Sequence, residues 1–124
     1  MSVHVEWDNA ERTALRWTYI GRWTWGEYDD ALRTAYTLME TVANAIDYIV
    51  DVRQMGILPP DVVKRVKAQY LQQPDKLRYL LAVGFDPNLR LFWDTFTDLP
   101  YARHLKLTYF DTLEDAREFS KQSS

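Results

Sequence analysis

The amino-acid sequence predicts an α/β fold: a single domain with one mixed sheet of five strands and four helices. Two short runs, YIVDV at 48–52 and YLLAV at 79–83, are almost entirely apolar. Such runs are typical of parallel strands that helices cover on both sides. Amphipathic helical stripes separate the strand-like segments, which is the pattern of βα units. We expect one domain over residues 1–124, with its core at about 3–119 and a frayed tail at 120–124.

The first two strands are predicted to form a β-hairpin. Val3, Val5 and Trp7 alternate with polar residues, which is the period of a strand with one exposed face. A polar turn at 8–11 leads into a second alternating segment at 14–19. Strand 1 is therefore expected to run antiparallel to strand 2.

The first helix has a clear start signal. Thr24 and Glu27 have the spacing of a capping box, in which each side chain binds an unpaired backbone N–H. Apolar residues then recur every three or four positions from Tyr28 to Val42. We expect this helix to end near Asn44, a residue that tolerates the left-handed cap conformation.

The central strand and the loop that follows it span Ala45 to Val63. Gly56 interrupts the strand, and Pro59 and Pro60 predict a helix that runs from about Pro60 to Gln72. The loop lies at the carboxyl end of a parallel strand, where α/β sheets usually bind ligands and partners.

The remaining elements follow the same logic. A strand is expected at 77–85, a helix capped by Asp86 and ended by Pro100, an edge strand at 105–109, and a last helix capped by Thr112. Right-handed crossovers place strands 2-3-4-5 parallel and in sequential order.

Composition excludes several classes of function. The chain has no cysteine, so thiol catalysis, thiolate metal sites and disulfides are excluded. A net charge of −3 argues against a general nucleic-acid binder. No apolar run is long enough to span a membrane and residues 1–8 do not resemble a signal peptide, so we expect a cytoplasmic protein.

The element order, the strand IDYIVDVRQM, the loop and helix after it, and the closing segment TLEDAREF together resemble the STAS domain superfamily. This superfamily has the SpoIIAA-like fold and includes bacterial anti-sigma-factor antagonists; the chain is most similar to its divergent STAS/SEC14-like branch. The resemblance implies a non-enzymatic domain that presents this loop and the second helix to a partner or a small ligand.

The phosphorylation site of the antagonists is missing from this sequence. Their loop carries a Ser or Thr in an Asp-Ser-Ser/Thr-Gly motif, whereas the corresponding segment here reads MGILPPD. All four serines lie at the chain ends, and no threonine occurs between Thr41 and Thr95. Regulation by a phosphate in this loop is therefore not expected.

Carboxylates near the ends of the predicted strands raise the possibility of an enzyme. Asp51, Asp86 and Asp111 could together bind Mg²⁺ or act as acid and base. However, Asp86 is explained as a helix cap and Asp111 as a turn residue, while Asp51 can pair with Arg53. We therefore predict no catalytic residues, no metal and no cofactor, and regard an enzyme that uses Asp51 as the least favoured reading.

The favoured hypothesis is association with a protein partner or with a second copy of the chain in a homodimer. Ile57 and Leu58 are adjacent apolar residues in a loop, next to Met55, and could form a contact patch. The proposed contact residues are Arg53, Gln54, Met55, Ile57, Leu58, Asp61 and Lys64.

The alternative hypothesis is a carrier or sensor of a small apolar or lipid-like ligand, held between the third helix and the sheet. It requires a cavity near Phe85, Phe92 and Trp93. An aromatic stripe at helical spacing is also explained by core packing, so both interpretations stay open at this point.

Overall fold

The computed structural model describes residues 2–70, 74–97 and 107–123. One five-stranded sheet has the order β1-β2-β3-β4-β5. Strand β1 is antiparallel to β2, and the other neighbours are parallel, as the sequence predicts. The strands are β1 Ser2–Trp7, β2 Ala14–Gly21, β3 Ile46–Met55, β4 Leu77–Val83 and β5 Leu107–Phe110. The helices are α1 Trp25–Met39, α2 Val62–Tyr70, α3 Pro87–Thr97 and α4 Leu113–Gln122.

Three helix starts confirm the predicted caps. Thr24 and Glu27 form a complete capping box at α1. The Asp86 carboxylate accepts a hydrogen bond of 2.8 Å from the backbone N–H of Leu89 at α3. At α4, the Thr112 hydroxyl accepts from the N–H of Asp115 over 3.1 Å. Local capping chemistry therefore fixes where these helices begin.

The predicted end of α1 is wrong. The helix stops at Met39 rather than near Asn44. The Lys76 ammonium donates to the carbonyl oxygen of Met39 over 2.8 Å and also to that of Val42. The backbone N–H of Val42 also donates to the Met39 carbonyl, over 3.3 Å, so the last carbonyl of the helix is satisfied without a further helical turn.

Helix α2 starts two residues after the predicted position of about Pro60. Asp61 has a φ of 61°, in the left-handed region, so Pro60 and Asp61 form a turn and the helix begins at Val62. Strand β4 ends at Val83 rather than Phe85, because Gly84 leaves the extended conformation with a φ of 85°. The predicted end of the second helix near Gln72, the predicted end of the third helix at Pro100 and the first two residues of the predicted edge strand, 105–106, lie outside the described residues.

The expected frayed tail at 120–124 is wrong for residues 120–122, where α4 continues to Gln122. The Ser120 side chain is buried and its hydroxyl donates to the Asp47 carboxylate. Asp47 also receives hydrogen bonds from the Arg78 guanidinium, at 2.8 and 2.7 Å. Arg78 in turn donates to the carbonyl oxygen of Ser123 over 2.8 Å. This buried network therefore holds the end of α4 on β3 and β4.

The two faces of the sheet are covered differently. On one face, α4 packs through Ala116 against an apolar cluster that includes Ile49, Leu81 and Val83. On the other face, α1 packs on the hairpin and β3, where Trp17 and Tyr48 belong to the main core cluster. Helices α2 and α3 share this second face, and the cavity described next lies beneath them.

Candidate functional site: an aromatic cavity on one face of the sheet

A cavity of about 130 Å³ lies between the sheet and helices α1, α2 and α3. Residues of four strands, three helices and the loop after β3 contribute to its wall. Nearly all of these side chains are apolar or aromatic. The aromatic ones are Trp17, Tyr19, Trp23, Trp25, Tyr28, Tyr48, Phe85, Phe92 and Trp93.

Strand periodicity explains the floor of the cavity. Side chains at every second position of a strand point to the same face. Trp17 and Tyr19 on β2, and Tyr48, Val50 and Val52 on β3, all line the cavity. The parallel register places Trp17 beside Val50. The alternating pattern therefore puts large rings side by side on two neighbouring strands.

Six of these rings, on β2, α1 and β3 and in the loop before α1, form one connected cluster. Trp17 lies 5.7 Å from Tyr28 and 5.4 Å from Tyr48, measured between ring centroids. Trp23 lies 6.2 Å from the same Tyr28 ring and meets Trp25 edge to face at 5.0 Å. Aromatic pairs favour tilted and edge-to-face geometries at these distances. The wall is therefore held in place by ring contacts from several elements.

Two buried indole groups in this wall have an unused hydrogen-bond donor. Trp17 and Trp23 are only 3% and 5% exposed. Among the residues that the structure describes, no acceptor pairs with the Nε1–H of either ring. Trp25 differs, because its Nε1–H donates to the carbonyl oxygen of Pro60 over 2.7 Å. An unsatisfied buried donor costs about 1–3 kcal/mol, so each calls for a physical explanation.

Arg65 is the charged residue among the described lining residues, and its charge is compensated. Its guanidinium carbon lies 4.9 Å from the centroid of the Trp25 ring, a cation–π contact. Its Nη2 lies 2.7 Å from Oδ1 of Asp29 on α1. Both side chains of this ion pair are partly exposed. Arg65 therefore joins α2 to α1 at the edge of the cavity.

The tyrosines of the wall remain protonated. Burial raises the pKa of Tyr28 and of Tyr48 well above the ordinary value, and neighbouring tyrosines raise it further. Burial also raises the pKa of Tyr19. The Tyr48 hydroxyl donates to the sulfur of Met39 over 3.8 Å. The cavity thus offers neutral phenols and no phenolate.

The pocket residues predicted from the sequence all reach this cavity. Phe85, Phe92 and Trp93 line it, and the rings of Phe85 and Trp93 lie 6.2 Å apart. The cavity also extends across β2 and β3 to α1, and the predicted ligand site did not include those elements. Trp23 and Trp25, on either side of the Thr24 cap, were the available signal for that part.

The structure divides the predicted contact surface in two. Arg53, Gln54, Ile57, Asp61 and Lys64 are exposed. Met55 and Leu58 instead turn inward and line the cavity. The expectation that Ile57 and Leu58 form one exposed apolar patch is therefore wrong, because Leu58 is partly buried against the core cluster, whereas Ile57 is 68% exposed.

Asp51 forms the ion pair with Arg53 that the sequence suggests. Arg53 donates to Asp51 from Nε over 2.9 Å, from Nη2 over 2.8 Å and from its backbone N–H over 3.1 Å. Burial raises the pKa of Asp51, but these hydrogen bonds outweigh burial and hold the pKa below its ordinary value. Asp51 alternates with the cavity-lining Val50 and Val52, so it faces away from the cavity.

The other two carboxylates are also accounted for. Asp86 caps α3, and Asp111 accepts from Nη2 of Arg90 over 3.3 Å. Within residues 2–70, 74–97 and 107–123, no three His, Cys, Asp or Glu side chains come together as metal ligands would. In the same ranges, no helix is long and apolar enough to cross a bilayer.

Comparison with known proteins identifies the fold. No protein-family model matches the chain, and no curated protein matches it. A solved structure does match: an uncharacterised protein of the DUF3478 family from Shewanella loihica PV-4, which is described as having a SpoIIAA-like fold. The alignment covers 95% of this chain and 93% of that one, with a TM-score of 0.72 and 11% sequence identity.

The chain has a SpoIIAA-like fold. This confirms the resemblance to STAS domains at the level of architecture. At 11% identity the likeness concerns the SpoIIAA-like fold alone, so function has to be argued from the residues of this chain.

Proposed function

We propose that this chain is a non-catalytic STAS-like domain that binds a small apolar molecule in the aromatic cavity. The observation that carries the proposal is the cavity itself, with a wall of packed rings and apolar side chains. Ligand sites are typically concave and apolar with a few fixed polar groups, and this wall has that composition.

The position of the cavity also favours ligand binding. Met55, Leu58 and Val62 bring the loop after β3 and the start of α2 into its wall. This loop lies at the carboxyl end of a central parallel strand, where α/β sheets commonly bind ligands. A ligand in the cavity would therefore contact the segment that, according to the STAS resemblance, is presented to a partner or a small ligand.

A non-catalytic role is supported by the state of Asp51. This carboxylate is held ionised by Arg53 and faces away from the cavity. A general base needs a pKa near the working pH and access to substrate, and Asp51 meets neither condition.

Isothermal titration with toluene tests the proposal. We expect one molecule of toluene to bind per chain. Val66→Phe, in the wall of the cavity, should abolish binding because the added ring occupies the space. Val63→Phe makes the same chemical change on the same helix at a position 42% exposed, and should leave binding unchanged. If toluene does not bind the wild-type chain, the proposal is wrong.

Partner association through the exposed surface is a second candidate function. Ile57 is 68% exposed at the tip of the loop, with Arg53 and Lys64 also exposed. We propose that a protein partner or a second copy of the chain in a homodimer would bind here. Ile57→Asp should then weaken a dimer in analytical ultracentrifugation, or binding of a captured partner, without affecting toluene binding. Unchanged association would contradict this candidate.

We also propose a cytoplasmic location, which the absence of cysteine favours.

A further inference from the structure

Strand β1 forms one edge of the sheet. In the part of the chain that the structure describes, it has a neighbouring strand on one side only, and it pairs with that neighbour, β2, in an unbroken register. Edge strands commonly carry lysine, proline or a bulge, which discourage pairing with another chain. The segment Ser2–Trp7 contains no lysine, proline or glycine. The sequence of β1 therefore does not oppose the addition of a further strand.

The hydrogen-bond pattern shows which backbone groups of β1 point away from β2. The backbone N–H of Asp8 donates to the carbonyl oxygen of Ala14 over 2.9 Å, and this pair continues the register of the hairpin. In an antiparallel ladder, hydrogen-bonded and non-hydrogen-bonded pairs alternate. The N–H and C=O groups of Val3, Val5 and Trp7 therefore point to the outer side of the sheet.

The side chains of β1 divide between the two faces. Val3, Val5 and Trp7 belong to the core cluster on the face of α1, where Val5 and Trp7 remain partly exposed. His4 and Glu6 alternate with them and are exposed on the opposite face. A strand added at this edge would therefore meet apolar side chains on one face and polar side chains on the other.

A second copy of β1 matches this edge in one register. Two copies of a strand can pair antiparallel about a two-fold axis. With the axis at Val5, this residue faces its own equivalent and Val3 faces Trp7 of the other copy, so all three outward residues exchange hydrogen bonds. An axis at His4 or at Glu6 would place Trp7 or Val3 opposite residues outside the strand.

The charges select the same register. With the axis at Val5, His4 of each copy lies opposite Glu6 of the other, which is a favourable cross-strand pair that occurs twice. An axis at Glu6 would place two carboxylates opposite each other, and an axis at His4 would place two imidazoles opposite each other. Like charges in directly opposed positions are destabilising.

We propose that the chain forms a homodimer in which the β1 strands of two copies pair antiparallel about Val5 and join the two sheets into one. This interface is separate from the cavity and from the loop that carries Ile57, so it does not depend on the proposed function.

Sedimentation velocity over a range of concentrations tests the inference with a proline at the axis. Val5→Pro removes an N–H that points outward, so the hydrogen bonds between β1 and β2 are kept. We expect a dimer of the wild-type chain and an affinity at least about tenfold weaker for Val5→Pro, because two hydrogen bonds are lost. Val5→Ile is the matched control and should dimerise like the wild-type chain.

Charge changes at the exposed His4 test the register without altering the backbone. His4→Lys should tighten the dimer by about fivefold at pH 7 and His4→Glu should weaken it by about as much, because each change is made twice opposite Glu6. Adding Glu6→Gln should remove the gain of His4→Lys. Weakening by both His4 variants would instead indicate an axis at His4 and overturn the proposed register.

The remaining outcomes concern the interface itself. A wild-type chain that stays monomeric at about 0.1 mM would overturn the inference. A dimer that Ile57→Asp disrupts and Val5→Pro leaves intact would also overturn it, and would place the contact at the loop after β3. Toluene binding is measured separately and is expected to be the same in Val5→Pro and the wild-type chain.

Discussion

Asp47 is a charged residue between Ile46 and Tyr48 in a largely apolar strand, and its side chain has no solvent exposure. Its two oxygens accept from the Arg78 guanidinium, and the Ser120 hydroxyl donates to it as well. A buried charge is tolerated only when paired and hydrogen-bonded in this way. Through Ser120 and Arg78, the network also holds the last turn of α4 against β3 and β4.

Asp47→Ala is expected to lower the free energy of unfolding by about 3–5 kcal/mol, because it leaves the Arg78 guanidinium without its buried partner. Urea denaturation measures this change. Asp30→Ala is the matched control, since Asp30 pairs with Arg33 on the surface of α1. That variant should change stability by no more than about 0.5 kcal/mol. A comparable effect of the two substitutions would contradict the role given to Asp47.

Asp8 and Asp51 make the fold sensitive to acid. Burial raises the pKa of each carboxyl group, but hydrogen bonds from arginines lower it by more. Arg117 and Arg16 donate to Asp8, and Arg53 donates to Asp51. Both pKa values therefore lie below the ordinary 3.8. A depressed carboxyl pKa contributes stability that is present above the unfolded pKa and is lost as the pH falls through the folded pKa.

We therefore expect the contribution of these two groups to the free energy of unfolding to be nearly constant from pH 7 to about pH 5. Below about pH 4 this contribution should decrease. Asp8→Asn should reduce stability at pH 7 and flatten the fall in acid. Denaturant titrations at several pH values measure both effects. An acid slope identical to that of the wild-type chain would show that Asp8 has no such role.

At the scale of single elements, the conformation of the loop after β3 directs Leu58, but not Ile57, toward the cavity. The left-handed turn at Asp61 follows the buried Pro59, and the Pro60 carbonyl oxygen is tied to the Trp25 indole over 2.7 Å. These contacts direct Leu58 inward and leave Ile57 outside. The turn also shifts the helix start from Pro60 to Val62.

The two neighbouring loop residues should therefore respond differently to the same change. Leu58→Asp places a charge against the apolar wall and is expected to cost about 1–3 kcal/mol of stability and to weaken toluene binding. Ile57→Asp should alter stability by no more than about 0.5 kcal/mol. Thermal denaturation of both variants compares them directly. Equal destabilisation would mean that Leu58 and Ile57 are equivalent.

Local signals made most elements predictable. Caps at Thr24, Asp86 and Thr112 depend on neighbours three residues away, so the sequence alone places them. The helix ends that were predicted wrongly involve contacts between residues far apart in the sequence. Lys76 binds the last carbonyl of α1, and Arg78, paired with Asp47, binds the carbonyl of Ser123 at the end of α4. Asp47 in β3 and Arg78 near the start of β4 were opposite charges in two apolar strands, a signal that could have indicated the pair.

For the whole molecule, the order of the strands could be predicted from the right-handed crossover rule. The presence of a cavity between the sheet and the helices could not be predicted from the sequence. Aromatic residues at alternate strand positions predict one shared face, but not whether helices fill the space above it. Phe85, Phe92 and Trp93 were expected at a ligand site, whereas Trp17 and Tyr28 joined it only through packing between the hairpin and α1. Cavity shape depends on the distance between layers, and periodicity carries no such information.

The central claim is that the space beneath α2 and α3 is a binding site for a small apolar ring. A crystal structure of the chain saturated with toluene tests this most directly. We predict electron density for one toluene ring inside the cavity, in contact with Trp17, Tyr28 and Tyr48. A cavity closed by its own side chains, with toluene absent or bound only at the surface, would contradict the account.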